Sequence, residues 1–285
     1  MSSTELDPEI IPLLDQVPFA GVDAESLATL RQGALQAPPI ELSDAVERVD
    51  HVVNEDPYVV VRVHTPKKPA AGPRACVYSI HGGGYVLGSY EMDDFRFDPL
   101  CQTFDCVGVS VEYRLAPETP YPGPLEDCYA GLRWVFDNAD SLGIDPARVG
   151  ITGVSAGGGL CAALALLVRD RGEMSVAWQL LDCPMIDDRQ QTASSRADGL
   201  VVWSRESNTF GWQSYLGDLY GKPDVPYHAA PARADDLSGL PPAYVCVGGA
   251  DGFRDEDIAY AARLNAAGVP CELHVYPGAP HLSLI

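Results

Sequence analysis

The sequence predicts an α/β fold: a mostly parallel sheet of eight strands, flanked by helices and covered at one edge by a helical cap. Three observations lead to this prediction. Strand-like apolar runs alternate with helix-like runs, as in parallel sheets, where each crossover needs a helix. One strand-like run, Arg148–Gly153, passes straight into a helix through a glycine-flanked serine. The segment 185–240 interrupts the alternation and carries no strand pattern.

The eight predicted strands are short runs of mainly apolar residues bounded by turn residues. In chain order they are DHVVNED, YVVVRVHTP, RACVYSIH, DCVGVSVEYR, RVGITG, VAWQLLDCP, PAYVCVGG and PCELHVYPG. Apolar residues at helical spacing predict helices at PEIIPLLDQV, AESLATLRQGAL, LEDCYAGLRWVFDNADSLG, AGGGLCAALALLVRD and DEDIAYAARLNAAG. Gly143 and Gly268 are the expected ends of two of these helices. Because the first two helices precede the first strand, we expect them to lie outside the sheet.

The same pattern divides the chain into a catalytic domain and a cap. We assign residues 46–184 and 241–285 to the catalytic domain, and the helical insertion 185–240 to the cap. Residues 1–45 are the expected N-terminal part of that cap. A chain of 285 residues is long enough for one large core, and no linker pattern divides it into two independently folding units.

Composition excludes several classes of partner. The formal net charge of −21 argues against nucleic acid and anionic membranes, because an acidic surface repels phosphate; we attribute the charge to solubility. No secretory signal follows Met1 and no apolar run is long enough to span a bilayer, so we expect a cytoplasmic protein. The eight cysteines are then expected to be reduced, and no cysteine–histidine spacing predicts a metal site.

Ser155 is the candidate nucleophile. Glycine on both sides lets the strand-to-helix turn hold the serine in a strained corner, because a Cβ at either glycine would crowd the turn. The hydroxyl then faces solvent, and N–H groups at the helix start point at whatever it attacks. The chain has 27 glycines, so G-x-S-x-G alone is a weak signal; its strand–turn–helix context makes it informative.

The serine needs a base, and in this architecture the acid and then the histidine follow it along the chain. Three histidines do so. His274 lies inside the last predicted strand and faces one side of the sheet, and His228 lies in the cap insertion. His281 follows that strand in a loop with glycine and proline, at the carboxyl edge where sites form in such sheets. We predict His281 as the general base; the alternative is an exposed loop histidine.

Asp251 is the predicted acid, because it directly follows the strand PAYVCVGG and could accept a hydrogen bond from the imidazole. Asp255 and Asp257 are alternatives nearer the start of the next helix, where capping or interaction with the helix dipole would also explain a carboxylate. A second alternative is the pair Asp187 and Asp188, which follows VAWQLLDCP.

The run His81–Gly84 follows a predicted strand and is the candidate oxyanion hole. Consecutive glycines let the main chain approach a substrate oxygen with its N–H groups free, and the N–H of Ala156 would complete the set. A phosphate-binding loop is the alternative, but no Lys-Ser/Thr pair follows the glycines. Because His81 precedes the serine, we expect it to be structural.

Five ordered motifs resemble those of the bacterial hormone-sensitive lipase family of esterases, which has the α/β-hydrolase fold. They are HGGGYVLGS, YRLAPE, GVSAGGG, ADGFRDE and the PH pair at 280–281. The similarity extends from the first strands to the end of the sequence. It implies hydrolysis of a small-molecule carboxylic ester, usually with a short- to medium-length acyl chain, and no metal or other cofactor.

The resemblance also implies roles for individual residues. It implies Ser155 as the nucleophile, Asp251 as the acid and His281 as the base. The implied oxyanion donors are Gly83, Gly84 and Ala156. It further implies a lid built from the N-terminal helices and the insertion, and often a homodimer formed through the last strand and its neighbouring helix. Four aromatic residues are candidates for substrate binding in an enclosed pocket: Tyr85, Trp203, Trp212 and Tyr215. Such aromatic residues more often form the core of a lid.

The sequence departs from the family pattern at three points. Val154 stands where an acidic residue is usual, so we expect different hydrogen bonding beside the serine. Leu282 follows the histidine where glycine is common. The sequence ends four residues after His281, whereas family members continue into a final helix. The sequence therefore leaves open how the His281 loop is anchored and whether the native protein has that helix.

Two other functions use the same fold. Some proteins with this fold bind a small molecule under the cap without hydrolysing it, and in those the triad is usually broken. Here all three members of the triad are present, which favours an enzyme. Amidase or lactonase activity would need the same side chains, so the sequence leaves those reactions open.

Overall fold

The computed structural model describes residues 6–14, 21–34 and 41–282, and an eight-stranded sheet runs through the last of these ranges. The strands are β1 (Val46–Glu55), β2 (Tyr58–Pro66), β3 (Arg74–Ile80), β4 (Val107–Glu112), β5 (Ile144–Val154), β6 (Gln179–Asp182), β7 (Ala243–Gly248) and β8 (Cys271–Tyr276). Their order across the sheet is β1-β2-β4-β3-β5-β6-β7-β8. The pairs β1–β2 and β2–β4 are antiparallel and all others are parallel, so the predicted mostly parallel eight-stranded sheet is confirmed.

The α-helices connect these strands or lie in the segments outside them. They are α1 (Ile11–Leu14), α2 (Leu27–Ala34), α3 (Asp94–Phe104), α4 (Gly123–Asp137), α5 (Ala139–Leu142), α6 (Ala156–Arg171), α7 (Arg205–Leu216) and α8 (Arg254–Ala266). The helix predicted to end at Gly143 is divided at Asn138 into α4 and α5. The sequence pattern did not indicate α3, in which Pro99 and polar residues obscure the helical spacing. Within the described residues, none of these helices combines the length and apolarity that a membrane span needs.

Helix α6 is the centre of the core. Residues 156–168 are all buried, because α6 lies against β3, β5 and β6 and is covered by α4 and by the short 3₁₀ helix Pro231–Arg233. A helix that is surrounded on all sides is apolar around its whole circumference, as the sequence AGGGLCAALALLV shows. This packing fixes the first residue of α6, and with it the turn that precedes the helix.

The segments assigned to the predicted cap are separate pieces of the chain. Of its N-terminal part, the ranges 1–5, 15–20 and 35–40 lie outside the described residues. Helix α2 is held by Arg31, which donates to the carbonyls of Val86 and Ala116 and pairs with Glu118 at 2.8 Å. In the insertion, α7 is buried through Trp212 and Tyr215. The boundaries of a separate cap domain stay a prediction.

Candidate active site

Ser155 lies at the turn between β5 and α6 in a strained conformation. Its φ of 57° and ψ of −121° are unfavourable for a residue with a side chain and cost on the order of 1–3 kcal/mol. Three main-chain hydrogen bonds hold it there. Its N–H donates to the carbonyl of Asp182 at 2.8 Å, and its carbonyl accepts from the N–H groups of Gly159 and Met185, both at 2.9 Å. The neighbouring strand and the first turn of α6 therefore impose the strain.

The two glycines of G-x-S-x-G are required by close backbone contacts. A Cβ on Gly153 would lie 2.1 Å from the carbonyl oxygen of Gly157. A Cβ on Gly157 would lie 2.1 Å from the carbonyl oxygen of Ile80 and 2.4 Å from that of His81. Both contacts are with backbone, which cannot rotate away. The glycines thus let the start of α6 pass directly over the end of β3.

His281 is brought to Ser155 by the loop that follows β8. Its Nε2 lies 2.9 Å from Ser155 Oγ, and its side chain is almost completely buried. The loop is fastened to the end of β7, where the N–H of Ala250 donates to the carbonyl of Ala279 at 2.9 Å. The edge of the Phe253 ring faces the imidazole plane at right angles, with centroids 5.0 Å apart. His281 is therefore not the exposed loop histidine of the alternative reading.

Asp251 completes a chain of hydrogen bonds. Its Oδ2 lies 2.7 Å from His281 Nδ1, and its Oδ1 accepts from the N–H of Phe253 at 2.9 Å. A carboxylate can only accept, so Nδ1 carries the proton and donates it to Asp251. Nε2 then has a free lone pair and accepts from the hydroxyl of Ser155. This is the tautomer in which a histidine can remove the serine proton.

The structure places the rival acids elsewhere. Asp255 accepts from the N–H of Ser194 and pairs with Arg254, each at 2.8 Å. Among the described contacts, none of the other rivals binds the imidazole. Asp187 and Asp188 each pair with an arginine, and Asp257 is completely buried.

The glycine run forms a compact loop whose shape depends on positive φ angles. Gly83 and Gly84 have φ values of 116° and 61°. A Cβ on Gly83 would lie 2.2 Å from the Leu87 carbonyl oxygen, and one on Gly84 would lie 2.1 Å from the Trp203 indole. Within the described ranges, the N–H groups of Gly83, Gly84 and Ala156 donate to no protein group. They are available to a developing oxyanion beside Ser155.

His81 supports this loop. Its Nδ1 donates to the carbonyl of Gly82 at 2.8 Å, and its ring stacks on Tyr113 at 4.2 Å. Burial lowers the pKa of His81 to about 4, so the imidazole is neutral near pH 7. A Cβ on Gly88 would lie 2.5 Å from His81 Nδ1, so the loop closes tightly around the ring. These are the contacts of a structural histidine.

The four aromatic candidates for substrate binding fall into two groups. Tyr85 stacks on Tyr215 with centroids 4.1 Å apart, lies 5.3 Å from Trp212, and donates its hydroxyl proton to the Met185 carbonyl. All three rings are at most 1% exposed, so they pack α7 against the loop that follows β3. Trp203 instead lines a small cavity that reaches the acid of the triad.

That cavity contains residues that sequence reasoning did not identify. Its walls include Leu200, Asn208 and Phe253 beside Asp251 and Trp203. Of these three residues, only Phe253 could have been predicted to line the cavity, because it follows Asp251 by two positions. Leu200 and Asn208 lie in the irregular insertion, where no periodicity relates them to the sheet.

A group of buried acidic residues and a thiol lies behind the triad. Burial raises the pKa of Asp182, and raises the pKa values of Glu256 and Asp257 well above their usual range. Within the described residues, no hydrogen-bond partner reaches the side-chain oxygens of Asp257. Cys183, which follows β6 with a φ of 38°, brings its Sγ to within 4.8 Å of the ligand atoms of Asp251 and His281. No sequence spacing indicated this contact.

Comparisons with known proteins identify the family and the class of enzyme. The family described as "alpha/beta hydrolase fold" matches residues 77–285. The chain is 34% identical to esterase LipI of Mycobacterium tuberculosis over 274 residues, which covers 94% of this chain and 85% of that protein. It is 36% identical to carboxylesterase NlhH of the same species over 284 residues, covering 97% and 88%.

A solved structure extends the comparison to three dimensions. The structure of a bacterial heroin esterase superposes with a TM-score of 0.90 at 41% identity, covering 98% of this chain and 90% of that one. These matches agree with the resemblance to hormone-sensitive lipase-like esterases and identify the chain as an enzyme of the carboxylic-ester hydrolase class. The chain therefore belongs to the alpha/beta hydrolase fold family, among its bacterial hormone-sensitive lipase-like esterases.

Proposed function

We propose that this enzyme is a serine carboxylesterase that hydrolyses esters of short- to medium-length acyl chains. The nucleophile is Ser155, the base His281 and the acid Asp251. The observation that carries the proposal is the continuous hydrogen-bonded chain from Ser155 Oγ to His281 at 2.9 Å and on to Asp251 at 2.7 Å. A serine hydroxyl is a weak nucleophile, and such a chain is the arrangement that activates it.

The reaction proceeds in two acyl-transfer steps. As Ser155 Oγ attacks the ester carbonyl, its proton passes to His281 Nε2, and Asp251 stabilises the imidazolium that forms. The N–H groups of Gly83, Gly84 and Ala156 bind the oxyanion of the tetrahedral intermediate. The imidazolium then gives its proton to the leaving alcohol. Water, deprotonated by the same imidazole, attacks the acyl-enzyme and releases the acid.

The position of the Trp203 ring supports the acyl-chain preference. The edge of the Trp203 indole lies over Gly84, where even a methyl group on the glycine would overlap it. We infer that the aromatic wall formed by Trp203 and Phe253 limits the length of the acyl group. A series of p-nitrophenyl esters of increasing acyl length would measure that limit.

A covalent probe separates an esterase from a binding protein on the same fold. We expect a fluorophosphonate to add once per chain to the wild-type enzyme, as intact mass spectrometry would show, and not to Ser155→Ala. The matched control is Ser195→Ala, which removes another buried serine hydroxyl at the cavity and should leave the adduct intact. Absence of any adduct on the wild type would contradict the proposal and favour the binding protein. Amide and lactone substrates assayed alongside would define the range of acyl groups accepted.

Three further expectations from the sequence stay predictions. The cap assignment at 1–45 and 185–240 can be examined by limited proteolysis at the two ends of the insertion. Sedimentation velocity would test the homodimer expected through β8 and α8. Fractionation of the source cells would test the cytoplasmic location.

A further inference from the structure

Cys183, Asp251 and His281 bring three different kinds of metal ligand together. A thiol sulphur, a carboxylate oxygen and a ring nitrogen all lie within 4.8 Å of one another, and all three residues are buried. Among the residues that the structure describes, this is the one group of three or more such side chains close enough to share an ion. The residues come from the ends of three different strands, which is why no motif spacing in the sequence predicts the group.

The distances fit a single tetrahedral ion after a small movement. With zinc-to-ligand distances of about 2.0–2.3 Å, two ligands of one tetrahedral zinc lie roughly 3.3–3.6 Å apart. A pair at the full 4.8 Å must therefore approach by roughly 1.2–1.5 Å, whereas Asp251 Oδ2 and His281 Nδ1, now 2.7 Å apart, must separate by roughly 0.6–0.9 Å. A mixed sulphur, nitrogen and oxygen set with an open fourth position for water is a set that suits zinc.

The charge around the thiol favours a cation. Burial, and after it the charges of Asp182, Asp251 and Asp257, raise the pKa of the Cys183 thiol well above the ordinary value. The same carboxyl groups that disfavour a bare thiolate would stabilise a divalent cation bound to it, because the ion's own charge dominates the local electrostatics. Of the three residues, Asp251 also lines the small cavity beside Trp203.

We propose that Cys183, Asp251 and His281 form an inhibitory binding site for a thiophilic divalent cation, represented by Zn²⁺. On binding, a bond forms between Zn²⁺ and the sulphur of Cys183, and the thiol proton leaves to solvent. One carboxylate oxygen of Asp251 and one nitrogen of neutral His281 supply the other protein ligands. No oxidant or reductant takes part.

Binding through either ring nitrogen would block the proposed catalysis. If the ion takes Nδ1, the imidazole proton moves to Nε2, which then faces Ser155 as a donor and cannot accept the serine proton. If the ion takes Nε2, the lone pair that should accept that proton is already used. In both cases Asp251 no longer orients the imidazole. Zinc is therefore expected to abolish turnover rather than to weaken substrate binding.

The test uses two measurements, and one of them does not depend on turnover. Co²⁺ bound to a cysteine thiolate shows a near-ultraviolet charge-transfer absorption, which the histidine–carboxylate pairs His228–Asp170 and His274–Glu272 cannot produce. We expect this absorption in the wild-type enzyme at one ion per chain. We also expect Zn²⁺ to compete for the site and to inhibit ester hydrolysis.

The variants identify the thiol. Cys183→Ser should lack the cobalt absorption and should need at least about tenfold more Zn²⁺ for half-inhibition, since losing even an outer-shell partner weakens metal sites roughly 10–100-fold. Cys183→Ala serves as a second variant, and far-ultraviolet circular dichroism confirms that each is folded. The matched control is Cys271→Ser, because Cys271 is the one partly exposed cysteine and lies at the opposite end of β8. It should behave like the wild type.

The outcomes separate this site from the proposed function. Cobalt absorption without ester turnover would support the metal site while contradicting the esterase mechanism. An active enzyme without cobalt absorption would overturn the metal site alone. The site would also be overturned if Cys183→Ser kept the absorption, or if it were inhibited at the same Zn²⁺ concentration as the wild type.

Discussion

Replacing Asp251 by asparagine changes one atom and tests the mechanism at its most specific point. Oδ1 of Asp251 accepts from the N–H of Phe253 at 2.9 Å, so an asparagine would keep its own oxygen there and turn its amide NH₂ group towards His281. An amide NH₂ is a donor, so Nδ1 must become the acceptor. The imidazole proton then moves to Nε2, and the ring can no longer accept the proton of Ser155.

The expected loss of activity follows from this change of tautomer. The same substitution in the chymotrypsin-type triad, which is a worked case of the general rule, lowers kcat by about 10⁴-fold with the geometry intact. That factor corresponds to about 5.5 kcal/mol of transition-state stabilisation. We expect a loss of similar size in kcat for p-nitrophenyl acetate and little change in KM, since Asp251 is not expected to touch the ground-state ester.

Asp255→Asn is the matched control. Asp255 lies four residues further on and holds the main chain of Ser194 and the side chain of Arg254 rather than the imidazole. Its loss should reduce kcat only a few-fold, because an exposed or partly exposed ion pair contributes roughly 0–1 kcal/mol. The reasoning is refuted if Asp251→Asn keeps more than a tenth of the wild-type kcat, or if the two substitutions have equal effects.

Three other changes test separate parts of the structure. Gly157→Ala places a methyl group 2.1 Å from a backbone carbonyl oxygen and should lower the free energy of unfolding in urea by at least about 1–3 kcal/mol. The control Gly33→Ala meets nothing within 4 Å, so it should be neutral or raise that free energy by roughly 0.5–1 kcal/mol. Similar urea midpoints for the two variants would contradict the close packing of the turn. Burial holds the pKa of Asp257 in the folded protein far above its value in the unfolded chain. Above about pH 4 the unfolded chain therefore releases a proton that the folded protein keeps. This difference lowers the free energy of unfolding more and more as the pH rises towards the folded pKa. Asp257→Asn should therefore stabilise the protein more at pH 8 than at pH 5, by up to about 1.4 kcal/mol per pH unit, and the exposed control Asp235→Asn should show no such trend. Trp203→Ala should raise kcat/KM for an octanoate ester relative to acetate by roughly 10-fold or more, since each added methylene that gains contact is worth about 1–3 kcal/mol, and an unchanged chain-length profile would remove Trp203 from the acyl site.

The sequence predicted the parts of the structure that depend on local rules. A serine between two glycines is a local signal, and at Gly153 the turn itself excludes a Cβ. At Gly157 the obstacle is the end of β3, which the sequence pattern alone does not place there. The order of strands and helices likewise follows from periodicity, and it indicated that the loop after β8 meets the turn after β5. The hydrogen-bonded contact between His281 and Ser155 agrees with this rule about the edge of a parallel sheet.

The sequence could not predict packing between segments that no motif relates. Tyr85 is a predicted substrate-binding residue, yet its ring packs against Trp212 and Tyr215 of α7. Which face of α7 packs against Tyr85 depends on the path of the whole insertion, and the sequence of the insertion has no regular pattern. Helix α3 was missed for a related reason, since the interior Pro99 disfavours a helix locally and the surrounding packing overrides that preference.

The group behind the triad shows what this limit means for function. Asp182, Cys183, Glu256 and Asp257 each look ordinary in the sequence, as a strand-end acid, a small apolar residue and two first-turn carboxylates. Only folding brings them into one buried volume, where burial raises the pKa values of Glu256 and Asp257 and the neighbouring carboxyl groups raise them further. A buried set of acids destabilises the native state whenever it ionises, so its presence beside the triad costs stability that a set of apolar residues would not. The cost becomes a gain only when a cation is bound. The same electrostatic argument therefore predicts that Zn²⁺ raises the unfolding temperature of the wild-type enzyme while it suppresses ester turnover, and that Cys183→Ser loses both effects together.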